Sequence, residues 1–269
     1  MQQDLILSDR EFHQFRGMIY DVAGISLSEA KKALVSGRLA KRIRQHGLGS
    51  YGDYFSVLTR EKSELQIAVD LLTTNETYFF REPKHFDFLR DRILPELKSR
   101  PVVRVWSGAC SSGEEPYTIA MTLAESLGER SWEIVASDIS TRVLEKARSG
   151  VYSMSDAEGI PRHLLSKYCL KGFGSQEGAL LIDRSLRSRI NFLQVNLNSP
   201  LPSLGEFDVI FLRNVMIYFD IETKRQVLRR MLPLLRPGGY FIVSHSESLN
   251  GVSDDLKVIV PSTYRKPHA

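Results

Sequence analysis

VVRVWSGACSSGEEP, running from Val102 to Pro116, decides the fold. Its first six residues are mostly β-branched or aromatic, the composition of a strand. Gly108 and Gly113 then permit a turn in which the backbone can come close to a ligand. Ser111 or Ser112 is placed to cap a following helix, and Pro116 suits that helix's first turn. Open α/β sheets bind ligands at such corners, beyond the carboxyl ends of their strands. The string lacks the G-x-G-x-x-G spacing that presents amides to a pyrophosphate, and Glu114 and Glu115 stand where a phosphate would be repelled. These features argue against a dinucleotide or a nucleoside triphosphate and for an adenosyl ligand without phosphates. Taken alone, an ordinary capped corner explains the string equally well.

Downstream the same texture repeats. EIVAS (Glu133 to Ser137) reads as a strand followed by a helix over Thr141 to Arg148, and FDVIFLR (Phe207 to Arg213) as a strand followed by a helix near Ile221 to Leu234. GYFIVSH (Gly239 to His245) is a further strand, with KVIV (Lys257 to Val260) available to close the sheet. Arg236-Pro237-Gly238-Gly239 reads as a helix stop and turn. Strands alternating with helices predict an α/β domain with a parallel, doubly wound sheet. The alternation breaks over about 151–187, which includes GFGSQEG and a short ALLI run, and an inserted small antiparallel β-subdomain is expected there. Upstream, Phe12, Phe15, Ile19 and Val22, and again Val35, Leu39 and Ile43, recur at helical spacing with no strand-like alternation. The expected organisation is a small all-helical domain over 1–80 and an α/β domain over 81–269.

The chain has 269 residues, 42% of them hydrophobic and 25% charged, with no apolar run approaching the ~20 residues of a membrane span. The opening MQQDLILSDREF carries acids where a signal peptide has basic residues, so a cytoplasmic protein without membrane insertion is expected. Cys110 and Cys169 make no disulfide framework, and the six histidines show no metal-ligand spacing with Cys, Asp or Glu, so no metal is expected. Neither a G-x-S-x-G elbow nor a P-loop occurs. The formal charge of +4 is too small to imply nucleic acid. It is concentrated instead: Ala30 to Gly52 contains no acid, and Lys31, Arg38 and Arg42 fall on one stripe of a helix beside the apolar stripe of Val35, Leu39 and Ile43.

Several polar residues fall where a ligand would sit. Asp138 ends the second strand, where a carboxylate can accept from ribose hydroxyls; alone it would read better as a helix cap. Arg213-Asn214 follows the third strand at the same sheet edge. Tyr218 lies just beyond, and its hydroxyl would need a partner if buried. Asn196 could reach an adenine edge, or be a plain loop asparagine. Thr73 to Arg81 puts polar groups, three aromatics and an arginine into nine residues, more than a solvent-borne connector needs.

In order, the strings TTNETYFFRE, RVWSGACSSGEEPYTIA, ASDISTRVLEKARSGVY, FLRNVMIYF, LLRPGGYF and HSESL resemble the CheR family of chemoreceptor glutamate methyltransferases over essentially the whole chain. The resemblance implies a helical N-terminal domain joined to a Rossmann-like S-adenosylmethionine-dependent methyltransferase domain with a β-subdomain insert. Cofactor contacts would then fall on Asn75, Thr77, Arg81, Glu115, Asp138, Asn196, Leu197, Arg213 and Asn214. Arg81 and Tyr218 would position the incoming carboxylate or the methionine end of the cofactor. The substrate implied is the cytoplasmic helical region of chemoreceptors, rich in Glu and Gln, facing the basic stripe of Lys31, Arg38 and Arg42. KGFGSQEG resembles the loop with which some members hold a receptor C-terminal peptide. A glutamate side chain, with a pKa near ~4.3, is already an anion, so no general base is required and none of the usual triads is expected. A nucleic-acid amino-methyltransferase would carry an NPPY-like loop where RNVMIY stands. A non-catalytic binding module would not need the full set of pocket residues.

Overall fold

The computed structural model describes residues 5–268, and the chain divides into two compact units, 1–74 with 218–224 and 75–217 with 225–269.

The first unit is helical: α1 (Asp9–Ala23), α2 (Lys32–Gln45), α3 (Tyr51–Leu58) and α4 (Lys62–Leu72). α1 starts in a capping box, with Ser8 Oγ accepting from the Glu11 amide and Glu11 accepting from the Ser8 amide, and ends at Gly24 in the left-handed conformation. Its buried face is Phe12, Phe15, Ile19 and Ala23, with Ala23 buried in place of the expected Val22, which is only half-buried, and α2 buries Val35, Leu39 and Ile43, as their spacing predicts. Removing a fully buried Phe or Leu side chain from water contributes about 1.5–3 kcal/mol. Residues 218–224 join this unit through an isolated bridge between Ile25 and Phe219 and a hydrogen bond from Tyr20 to Asp220 at 2.8 Å.

The second unit carries β1 (Val102–Ser107), β2 (Ser131–Asp138), β3 (Val151–Ser153), β4 (Cys169–Lys171), β5 (Ala179–Ile182), β6 (Ile190–Gln194), β7 (Phe207–Phe211), β8 (Leu235–Ile242), β9 (Lys257–Val260) and β10 (Thr263–Arg265). Seven form one sheet in the order β6-β2-β1-β7-β8-β10-β9, parallel from β6 to β8, with β10 antiparallel to both neighbours. The core on one face joins Val103, Val105, Ile134, Ala136, Val209 and Ile242 to Ile119 and Leu123 of the helix Glu114–Leu127. The insert forms the antiparallel sheet β3-β5-β4.

Two local expectations are corrected. Neither Ser111 nor Ser112 caps the helix after β1: Gly113 does, at φ 98°, without a side-chain bond. A Cβ there would meet Ala147 Cβ at 2.9 Å and the Tyr152 hydroxyl at 2.8 Å, so glycine is required both by conformation and by space. Arg236 to Gly239 lie within β8 and not in a turn, because the strand begins early at Leu235 and absorbs Gly238 (φ 75°) at an irregular register against β7. KVIV forms β9, the last strand of the sheet as expected, and reaches β8 through β10.

Candidate functional site

β1, β2 and β7 are adjacent and parallel, so the turns after them open at one edge of the second unit. Cys110 N donates to Ser137 O at 2.9 Å and Gly108 N to Phe211 O at 2.8 Å, which extends the ladder past β1 and fixes the turn. Within it Ser111 takes a positive φ of 49°. Its amide donates to Asp138 Oδ2 at 2.9 Å and its hydroxyl to Asn75 O at 2.9 Å. Asp138 Oδ1 also accepts from the Ser140 amide at 2.9 Å, and Asp138 O accepts from Val195 N at 3.0 Å, one residue before Asn196. Ser111 thus ties Asn75 to Asp138, and Asn196 directly follows the residue whose amide Asp138 O accepts from. The cap of the next helix is Ser140 and not Asp138.

A second chain of contacts runs through Arg213, whose side chain is 2% exposed. Its Nη1 donates to Glu115 Oε2 at 2.9 Å, and its Nη2 to Glu82 Oε2 at 3.1 Å and to the Arg81 carbonyl. Glu115 Oε1 accepts from the Ser107 hydroxyl at 2.7 Å, so both of its oxygens are engaged by protein groups. Burial would raise the Glu82 carboxyl, but the Arg213 guanidinium together with the His245 amide holds it below its ordinary range. Burial, with the Arg213 charge second, drops the His85 imidazole to about 3. Arg81 Nη1 donates to Glu76 O at 2.8 Å, and its guanidinium lies over the Tyr78 ring. Thr77 is half-buried in the same segment. Leu197 is buried, its carbonyl accepting from Arg230 at 3.0 Å. Asn214, at φ 56°, follows Arg213 directly. Tyr218 falls in the first unit, where its carbonyl accepts from Ser26 N at 2.8 Å.

Carboxylates of Glu82, Glu115 and Asp138 outnumber the buried Arg213, so this edge favours a cation such as a sulfonium and disfavours a phosphate. Glu82, His85 and His245 have donor atoms within 4.8 Å of one another, a grouping that spacing along the chain did not reveal. Arg213 already neutralises Glu82 and would repel a metal ion placed there.

The sequence assigns no role to Glu82 or Glu247, and to Ser111 only that of a helix cap. Glu82 was within reach, directly after Arg81 in a string already singled out. Ser111 acts through its amide as well as its hydroxyl, and side-chain chemistry does not announce the amide's part.

In the first unit the basic stripe is not free. Arg42 donates through Nε and Nη2 to the two oxygens of Glu64, which is nearly buried, at 2.7 and 2.5 Å. Arg38 donates to Leu72 O, Thr73 O and Thr74 Oγ1 at 2.7–3.0 Å, closing the end of α4. Lys31 is exposed, as are Lys41 and Arg44. Arg38 and Arg42 are held because α2 packs beside α4, whose acid and terminal carbonyls compete for them.

Comparison with known proteins bears on both units. Residues 10–73 match the family described as CheR methyltransferase, all-alpha domain, and residues 75–265 match CheR methyltransferase, SAM binding domain. Chemotaxis protein methyltransferase 2 of Pseudomonas aeruginosa is 43% identical over 97% of this chain and 95% of its own. The chemotaxis protein methyltransferases of Salmonella typhimurium and Escherichia coli are each 42% identical, over 98% and 93% of this chain and 92% and 88% of theirs. No helix among the described residues is long and apolar enough to cross a membrane.

Proposed function

This chain belongs to the CheR methyltransferase family, an S-adenosylmethionine-dependent methyltransferase of chemotaxis, and we propose that it esterifies the γ-carboxylates of specific glutamates on chemoreceptors. S-adenosylmethionine supplies a sulfonium methyl, which passes in line to a carboxylate oxygen as the sulfur keeps the bonding pair, leaving a methyl ester and S-adenosylhomocysteine. The residues proposed to hold the cofactor are Asn75, Thr77, Arg81, Glu115, Asp138, Asn196, Leu197, Arg213 and Asn214. Asp138 is proposed to accept from ribose hydroxyls, a role a carboxylate at the end of β2 can take. Glu115 and Arg213 act as a fixed pair, since neither has its whole charge to offer.

The observation that carries the glutamate reading is Arg81. It is half-exposed, and of its guanidinium donors one nitrogen is held by Glu76 O, leaving others to capture an anionic carboxylate. Tyr218 is proposed to assist in positioning. Alignment of reactants whose charges neutralise as they combine can supply on the order of 7–11 kcal/mol without a general base.

For the partner, we read the helical unit as the receptor-recognition element, with Lys31, Lys41 and Arg44 as its free charges and Arg38 and Arg42 as the struts beneath them. A receptor C-terminal peptide is proposed to add to β4, an edge strand of the small sheet, beside the exposed Leu170 and Phe173. The reaction is carried out in the cytoplasm.

Incubation with methyl-labelled cofactor and receptor-bearing membranes tests the reading. Label should enter receptor and be released as methanol by mild base. Base-stable label, or label on nucleic acid, would overturn it.

A further inference from the structure

Beyond Leu212, whose amide still donates to Ile242 O at 2.9 Å, the chain leaves the sheet with backbone amides that need acceptors. One carboxylate supplies them. Glu247 Oε2 accepts from Asn214 N at 3.0 Å and from Ser244 N at 2.9 Å, and Oε1 accepts from Ile217 N at 3.2 Å. Glu247 is 9% exposed, and it follows β8, the strand next to β7. It therefore ties the exits of both strands together and brackets the segment that carries Asn214 at a positive φ of 56°, a left-handed conformation uncommon outside glycine and asparagine.

We propose that Glu247 is a positioning residue for methyl transfer: it sets the conformation of Arg213 to Ile217 and so holds Asn214 toward the cofactor. This rests on the reading of Asn214 as a cofactor contact. The chemistry asks for a carboxylate. Three N–H groups converge on two oxygens, and only an acceptor-only group meets all three. Glutamine at 247 is isosteric but presents an NH2 to at least one of those donors, so it removes the clamp without opening a cavity.

Three variants decide the matter, each measured for S-adenosylhomocysteine affinity by calorimetry, for kcat on receptor membranes, and for amide exchange over residues 212–217. E247Q should weaken product binding about tenfold, the order of one lost charge-assisted hydrogen bond, and speed exchange in that segment while the remaining amides keep wild-type protection. E247D keeps an acceptor-only group and should recover part of both; it carries the same measurements if E247Q does not fold. Wild-type affinity and kcat in a folded E247Q overturn the inference, whatever the exchange shows, because a purely structural tie would loosen the loop and leave both unchanged. N214A separates this inference from its premise: wild-type binding by N214A removes Asn214 from the site, whereas weakened N214A beside unaffected E247Q leaves the site standing and removes the clamp.

Discussion

Arg213 Nη1 donates to Glu115 Oε2 at 2.9 Å with both side chains almost withdrawn from water, and the same guanidinium reaches Glu82 on its other side. One arginine thus holds two carboxylates from separate elements, the helix after β1 and the segment after Arg81. Buried charges are costly unless paired, so the three side chains stand or fall together.

Removing the centre of that group should be more harmful than removing an end. Arg213→Ala strands Glu82 and Glu115 and should cost about 3–5 kcal/mol, the range for breaking a buried pair. Lysine keeps the charge but cannot bridge in a planar fork, so Arg213→Lys should recover only part of the loss. Urea denaturation of both variants checks this; Arg213→Ala as stable as wild type would mean that the pairing is energetically idle.

Asp138→Ala should weaken binding of S-adenosylmethionine and of its demethylated product without unfolding the chain. The expectation joins the placement of Asp138 at the end of β2 to its hold on the Ser111 turn through the 2.9 Å bond from the Ser111 amide. Calorimetric titration reads the affinity directly, and an unchanged value would take Asp138 out of the site.

Much of this was legible before any coordinates. Phe12, Phe15 and Ile19, or Val35, Leu39 and Ile43, declare buried helix faces because periodicity is local information. The parallel sheet followed from strands alternating with helices, and the turn after Ser107 from its glycines. What was hidden depends on contacts remote in sequence. Arg42 looked like a surface charge until Glu64, 22 residues away, proved to be its partner. Arg38 likewise caps carbonyls more than 30 residues on. Gly238 reads as a turn locally, and the sheet overrides it. Glu247 lies 33 residues from the Asn214 amide that it accepts from, a relation no spacing rule encodes.

The Arg42–Glu64 pair predicts a pH dependence. Hydrogen bonding from Arg42, against the penalty of burial, lowers the Glu64 carboxyl from an ordinary 4.5 to about 2. A lowered folded-state value means stability that is fully present above about pH 4.5 and lost as pH falls toward 2. Glu64→Gln should flatten that limb of the melting profile while lowering stability near neutrality. An unchanged acid limb in Glu64→Gln would show that other carboxylates control it.

Arg81→Ala and Tyr218→Phe should each lower kcat for methyl transfer more than they shift the melting temperature. Arg81 makes one backbone bond and a ring contact, so its loss removes little folding energy. Arg81→Lys restores the charge without the fork and should fall between alanine and wild type. Receptor methylation at the wild-type rate by Arg81→Ala or by Tyr218→Phe would end the positioning role proposed for that residue.

Charge reversal on α2 separates steering from folding. Reversing Arg42 would place a carboxylate against the nearly buried Glu64, and reversing Arg38 would remove the donor to Leu72 O and Thr73 O, so both should unfold the helical unit rather than test recognition. Lys41 and Arg44 are exposed, make no ion pair among the described residues, and sit on the same acid-free helix. A Lys41→Glu, Arg44→Glu double variant should therefore melt within a degree or two of wild type and bind S-adenosylhomocysteine equally well. It should methylate receptor several-fold more slowly at low ionic strength, because steering by surface charge acts mainly on encounter. Near 1 M salt the Debye length shrinks to about 3 Å, and the two proteins should converge as wild type slows toward the variant. A double variant that methylates receptor as fast as wild type at low salt would remove α2 from receptor recognition and leave the helical unit's surface charge without a partner.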